Sequence, residues 1–332
     1  MIISRTPFRV SFFGGGTDYP AWYQLNGGSV IATTIDKYCY ISCRYLPPFF
    51  EHKYRVVYSK IENVKNISDI EHPAVKAILN EMNCLDGLEI HHDGDLPARS
   101  GLGSSSSFTV GLINTIMAMK GQHISKEDVA KQSIYIEQEI IKENVGSQDQ
   151  ISAAYGGFNK IEFRRDGSFE VTPIILNQSR LQALQDHFML FFTGFSRIAS
   201  EVAKSKIENF KNRVVELTRM HEMVNEALTI LQNKGDSLDE FGKLLHQSWL
   251  YKRSLSDKVS TPEIDLIYET AIRAGATGGK ILGAGGGGFL LLFVKPELQD
   301  KIRKKLKYLI HVPFHFENSG SKIVLYQPNG LS

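Results

Sequence analysis

Seven of the eight residues from 100 to 107 are serine or glycine, and they lead straight into an amphipathic segment with Phe108, Leu112, Ile116 and Met119 on one face. No other feature narrows the possible folds as much. Glycine lets the backbone curl until several N–H groups converge on one point, and the first turn of a helix adds free N–H donors and the positive end of its dipole. Four serine hydroxyls can bind phosphate or a divalent cation. A plain turn with a serine cap needs only one or two such residues, so residues 95–107 read as an anion site at a helix start. The segment is not a P-loop, whose lysine would fall where this chain has serine. Nor is it a dinucleotide-binding turn, because serines follow Gly101 and Gly103 where a third glycine belongs.

Two further glycine-rich segments stand at the ends of the chain. Residues 278–288 contain a G-x-G-x-x-G match at Gly283, Gly285 and Gly288, yet the apolar run 289–294 that follows reads as a buried strand and not as a helix. That context fits a strand–loop–strand hairpin whose bare backbone lets another segment or a ligand approach closely. H-R-D and D-F-G triplets are absent, which removes a eukaryotic-type protein kinase. Residues 5–19 bring together Arg9, a turn at Gly14, Gly15 and Gly16, and Asp18 between Thr17 and Tyr19. A carboxylate there can accept from vicinal sugar hydroxyls. A hairpin with a capping Asp reads equally well from these residues alone.

The remainder of the sequence sets bounds. A chain of 332 residues, 42% hydrophobic and 22% charged, is a folded protein of two domains rather than a disordered one. Its net charge of +2 gives no bulk reason to expect nucleic-acid or membrane binding. Cys39, Cys43 and Cys84 suit buried thiols better than disulfides. No apolar run approaches the ~20 residues of a membrane span and the start lacks a signal-peptide core, so a soluble, cytoplasmic protein is expected. Strands are predicted at 9–13, 29–45, 54–58, 87–92, 158–163 and 169–174, with helices at 105–120 and 126–142. Beyond residue 180 the pattern becomes mostly helical. One long helix is predicted from Ile207, Phe210, Val214, Leu217, His221, Val224, Leu228 and Leu231, with others at 238–254, 263–274 and 296–308. The expected division is therefore 1–180 and 181–332. His91 and His92, beside Asp93 and Asp95, are assigned structural roles.

In this order the three segments resemble the motifs of the GHMP kinase superfamily, named for galactokinase, homoserine kinase, mevalonate kinase and phosphomevalonate kinase. The resemblance is specific at 97–107 and 280–288 and spans the chain. It implies an α+β fold of two domains: a ribosomal S5 domain 2-like N-terminal domain with a left-handed β-α-β unit, and a ferredoxin-like C-terminal domain. ATP would lie in the cleft between them, on Pro97, Arg99, Gly101, Leu102, Gly103, Ser104, Ser105 and Ser106, with Gly285 and Gly286 behind. Residues 146–150 resemble the galactokinase stretch that carries the catalytic base, here Asp149, and Arg9 matches the basic residue that accompanies it. Glu137 matches a magnesium-binding Glu, so the resemblance implies Mg2+ held by Glu137 with Ser105 first and Ser104 second.

Asp18 matches a sugar-contacting Asp, with Gly15, Gly16 and Thr17 beside it. Galactokinases carry Glu-His at the places of Gly15 and Gly16, which argues against galactokinase itself. Residues 5–18 look most like the bacterial D-glycero-D-manno-heptose 7-phosphate kinases, which phosphorylate the anomeric C1 hydroxyl. That substrate implies a cationic subsite, for which Arg197 is the first candidate and Arg99 and Lys37 weaker ones. Expected partners are a sugar phosphate and ATP, with no nucleic acid and no membrane, in a monomer or homodimer. Competing readings are an L-fucose or other hexose 1-kinase, a silent sugar sensor, a diphosphomevalonate decarboxylase, and a nicotinamide oxidoreductase using 283–288.

Overall fold

Two strands rich in β-branched and aromatic residues form the spine of the fold. Ile2–Phe13 pairs antiparallel with Gly28–Tyr45, from Ile2 opposite Cys43 to Phe13 opposite Ile31. The computed structural model describes residues 1–98, 100–194, 199–233, 235 and 237–328. At 18 residues, the second strand is long enough to serve two neighbours: its first part pairs with Phe158–Phe163 and its last with Leu88–Gly94. The register of the spine shifts between Pro7 and Phe8, where proline has no N–H to give the ladder. Past Leu88–Gly94 the sheet continues through Tyr54–Val57 to Ile61–Val64. Tyr54–Val57 runs parallel to Leu88–Gly94, and the helix Pro73–Glu81 lies in the crossover that such a pair requires. Helices Ser104–Met119 and Gln148–Tyr155 pack against the spine. All three cysteines are free and buried.

The second sheet is antiparallel, in the order Ile310–His311, Phe188–Phe192, Phe289–Phe293, Gly278–Ile281. The helix Leu238–Ser254 presses so closely on it that a Cβ at Gly278 would lie 2.0 Å from the Gly242 carbonyl oxygen. The two sheets share one core. Phe12 stacks on Phe188 at 4.9 Å and Phe13 meets Phe241 edge-on at 5.1 Å, so aromatic packing joins the first sheet to the second and to the helix Leu238–Ser254.

Three expectations about the elements change. The predicted long helix is broken into Ala199–Asn209, a 3-10 turn Phe210–Asn212 and Val214–Gln232. Phe210 is the cause: it is buried edge-on to Tyr19 and Trp22, and Arg213 leaves the helical region to permit it. The helix from Lys126 stops at Tyr135 and continues as a π-turn, Ile136–Ile140. The chain's end returns to the first sheet, with Phe316–Glu317 on Gly28–Tyr45 and Lys322–Tyr326 on Ile2–Phe13. These strands cover an edge that would otherwise be open for pairing. The proposed division at residue 180 thus separates the two sheets except at the chain's end.

Candidate active site

A cavity of about 430 Å³ opens at the N-terminus of Ser104–Met119 and is lined from both sheets. Arg9, projecting from the first strand, organises it. Its Nε and Nη2 donate in parallel to the two carboxylate oxygens of Asp149, each at 2.8 Å, and its Nη1 donates to the Gly101 carbonyl at 2.6 Å. This fork fixes the carboxylate in plane and direction. Arg9 is buried, while the Asp149 side chain keeps 15% of its surface open to the cavity. Gly103 precedes the helix in the left-handed conformation, φ 74°, where a Cβ would sit 3.2 Å from Arg9 Cγ and 3.5 Å from Asp149 Oδ2. The helix start is therefore built directly against the Arg9–Asp149 pair.

Glu137 comes from the π-turn, an irregularity that recurs at functional sites. Its carboxylate is buried. Oε2 accepts from Ser106 Oγ at 2.8 Å and from the Gln150 side-chain amide, while Oε1 has no partner. Burial pushes the carboxyl up to about 7. The loop serine that reaches Glu137 is thus Ser106, while Ser104, Ser105 and Ser106 all line the cavity and Ser105 is exposed.

Asp18 is buried in the same cavity. Oδ1 accepts from the Gly16 N–H and Oδ2 from Gln148 Nε2, both at 2.8 Å. Burial, then the nearby charge of Asp149, raises its carboxyl above the usual range. Gly15 and Gly16 line the cavity beside it. Thr17 does not: its hydroxyl shares its proton between the carbonyls of Gly14 and Ser29, at 2.8 and 3.0 Å, and so closes the turn.

Three buried lysines of the cavity, Lys206, Lys252 and Lys280, belong to none of the site residues expected from the sequence. Lys252 donates to the carbonyls of Ile281 and Gly283 at 2.6 and 2.8 Å, and Lys280 to that of Phe12 at 2.8 Å. Lys206 lies over the Tyr19 ring, 5.3 Å from its centroid. Burial drives the Lys252 ammonium well below its ordinary range, pushes Lys280 down to about 7 and Lys206 to about 8. A signal existed. Lys206 falls in the stripe of Val202, Ala203 and Phe210, and Lys252 in that of Leu245 and Trp249, all buried; a lysine at helical spacing inside an apolar stripe points inward.

The glycine hairpin backs the loop. A Cβ at Gly283 would lie 2.5 Å from Gly101 Cα and one at Gly288 2.2 Å from the Ser100 carbonyl oxygen. Gly283 and Ala284 reach the cavity. Gly285 and Gly286 are placed against Val259 instead: the Gly286 N–H donates to its carbonyl at 2.9 Å, and a Cβ at Gly285 would sit 2.6 Å from the same oxygen. Pro97 accepts from Ser100 Oγ at 2.6 Å. Leu102 is a core residue whose carbonyl accepts from the Arg9 N–H at 3.0 Å. Lys37 pairs with Asp36 and His91 with Glu89. Arg99 and Arg197 lie outside the described residues. No helix among the described residues is long and apolar enough to cross a membrane.

Comparison with known proteins adds an independent line. The profile of the GHMP kinases N terminal domain matches residues 68–157, and that of the GHMP kinases C terminal domain matches 219–310. The chain is 30% identical over 324 residues to D-glycero-alpha-D-manno-heptose 7-phosphate kinase of Campylobacter jejuni, covering 92% of this chain and 93% of that one. It is 26% identical to the bifunctional fucokinase/GDP-fucose pyrophosphorylase of Arabidopsis thaliana, over 91% of this chain but only 30% of that protein. In fold it superposes on a D-glycero-D-manno-heptose 1-phosphate kinase from Bacteroides thetaiotaomicron with a TM-score of 0.79 at 21% identity, covering 97% of this chain and 98% of the other.

Proposed function

Because the chain belongs to the GHMP kinase family and is an ATP-dependent phosphotransferase, we propose that it phosphorylates the anomeric C1 hydroxyl of D-glycero-D-manno-heptose 7-phosphate. The product would be the 1,7-bisphosphate, a precursor of GDP-heptose and surface polysaccharide. The observation that carries the substrate assignment is the likeness to the Campylobacter jejuni heptose 7-phosphate kinase along nearly the whole of both chains. The Arg9–Asp149 fork against the loop supports phosphoryl transfer over a silent sensor, which would have no use for an intact base. A second reading, an L-fucose 1-kinase, is favoured by the match to the plant fucokinase.

Phosphoryl transfer depends on alignment and charge neutralisation more than on covalent chemistry. In this reading the amides from Gly101 to Ser106 hold the ATP phosphates at the helix start. Asp149 accepts the proton of the C1 hydroxyl, and Arg9 keeps that carboxylate aimed while facing the transferring group. Asp18 accepts from sugar hydroxyls, with Gly15 and Gly16 leaving room for the ring. The residues present fit a divalent cation: Glu137 Oε1 is a buried oxygen without a partner, and Glu137 with serines of the loop, Ser104 to Ser106, would hold Mg2+. When bound, Mg2+ draws charge from the β- and γ-phosphoryl oxygens.

An ATP-coupled panel of heptose 7-phosphate, heptose, L-fucose, galactose and mannose tests the assignment. Heptose 7-phosphate should give the highest kcat/KM with phosphate on C1, and preference for L-fucose would overturn it. A second expectation concerns Gly146, where a Cβ would lie 1.9 Å from Asp18 Oδ2. Gly146→Ala must push Asp18 out of place. A displacement of that order costs about 100-fold in kcat/KM for the sugar, with the affinity for ATP unchanged by calorimetry.

A further inference from the structure

We propose that Lys206 binds the phosphate already carried by the substrate, and so makes the site select a phosphorylated sugar over a neutral one. This rests on the reading of the protein as a sugar-phosphate kinase and names a residue for a subsite which that reading leaves unassigned. Among the described residues, four buried cations line the cavity. Three are committed to the protein: Arg9 to Asp149 and Gly101, Lys252 to Ile281 and Gly283, Lys280 to Phe12. Lys206, 3% exposed, is different. Among the described residues its ammonium has no hydrogen-bond acceptor and no carboxylate at ion-pair distance. Its neighbour is the face of Tyr19 at 5.3 Å.

Burying a cation without a hydrogen-bonding partner is unfavourable, and the usual resolution is a counter-ion. The wall on which Lys206 stands identifies the ion. Among the cavity's carboxylates Lys206 interacts most with Asp18 and then with Asp149, and Asp18 is the residue that the proposed reading gives to the sugar. In the proposed reading the ATP phosphates have their own donors in the loop amides and the helix dipole. A sugar phosphate held by Asp18 can present its anion to Lys206 and replace the water lost on binding. A neutral sugar of the same size would exclude that water and return nothing, so Lys206 also acts against neutral competitors.

The test uses two probe pairs: D-glycero-D-manno-heptose 7-phosphate against the unphosphorylated heptose for turnover, and mannose 6-phosphate against mannose for binding by calorimetry. The wild-type protein should prefer the phosphorylated member of each pair. Lys206→Met should lower kcat/KM for heptose 7-phosphate roughly 10- to 100-fold, the worth of a charge-assisted hydrogen bond, and erase the preference in both pairs while KM for ATP stays put. Lys206→Arg should retain most of the preference. Retained ATP binding shows that the variant is folded, and Lys206→Gln supplies the same comparison if the Met variant is not. The proposal is overturned if the preference survives loss of the charge, if both members of a pair suffer equally, or if the loss falls on ATP. Should the wild type fail to turn over heptose 7-phosphate yet bind mannose 6-phosphate through Lys206, the heptose assignment falls and the phosphate subsite stands.

Discussion

Asp149→Asn should lower kcat by about 100- to 10,000-fold, the range contributed by a positioned general base, while KM for ATP moves only a few-fold. The substitution is nearly isosteric, so the cavity keeps its shape. One amide oxygen can still accept from Arg9 Nε, but the amide nitrogen now faces Arg9 Nη2, a donor opposite a donor where the wild type has a 2.8 Å ion pair. The C1 hydroxyl loses its proton acceptor, and Arg9 keeps its bond to the Gly101 carbonyl, so the loop stays in register. Steady-state turnover measured by ADP release, with ATP affinity as the check on folding, separates the two consequences. Full turnover by the Asn variant would remove Asp149 from the chemistry. Loss of ATP binding alone would mean that the fork is structural, a strut for the loop rather than a means of aiming a base.

What the sequence disclosed about this site follows from where each residue's information lies. The loop from Ser100 to Ser107 was legible as a candidate phosphate site because such a site is built from backbone N–H groups, and serine and glycine in that density have few other uses at a helix start. The Arg9–Asp149 pair, separated by 140 positions, came only through family resemblance, since nothing local requires an Arg on a strand to meet an Asp beginning a helix. That Ser106 is the loop serine donating to Glu137 was not legible, because the rotation of a first helical turn decides which serine faces that glutamate, and a π-turn supplies it. The break at Phe210 was hidden for a related reason. The apolar stripe runs on unbroken through it in sequence, and only the pocket formed by Tyr19 and Trp22 pulls the ring, and the chain with it, out of the helix. Gly285 and Gly286 show the converse. The resemblance sets them behind ATP, and here they let the hairpin lie against Val259.

That hairpin carries the other large expectation, Gly288→Ala. The glycine has φ +91°, a region L-residues rarely adopt, and a Cβ there would stand 2.2 Å from the Ser100 carbonyl oxygen and 2.8 Å from its carbon. Neither is the movable end of a side chain. Gly288 is also pinned on its other sides: its N–H donates to the Gly194 carbonyl at 3.1 Å, its carbonyl accepts from the Thr193 N–H and hydroxyl at 2.8 and 2.9 Å, and the next N–H donates to Ser100 at 3.2 Å. Relief requires the hairpin to part from the first turn of the loop, breaking those bonds together with the contact that shapes the phosphate cradle. Combined backbone strain and lost packing should cost about 3–5 kcal/mol, seen as a lower urea midpoint, and weaken ATP at least about tenfold. Gly121→Ala is the control. It too has a positive φ, +68°, but nothing within 4 Å of the added carbon, so conformational strain alone applies, about 1–2 kcal/mol, with ATP binding intact. If the two variants lost the same stability and both kept ATP, contact between hairpin and loop would not be what holds the phosphate site in shape. A large difference confined to Gly288 would place part of the ATP site's rigidity in the second sheet, beyond the loop proposed to hold the nucleotide.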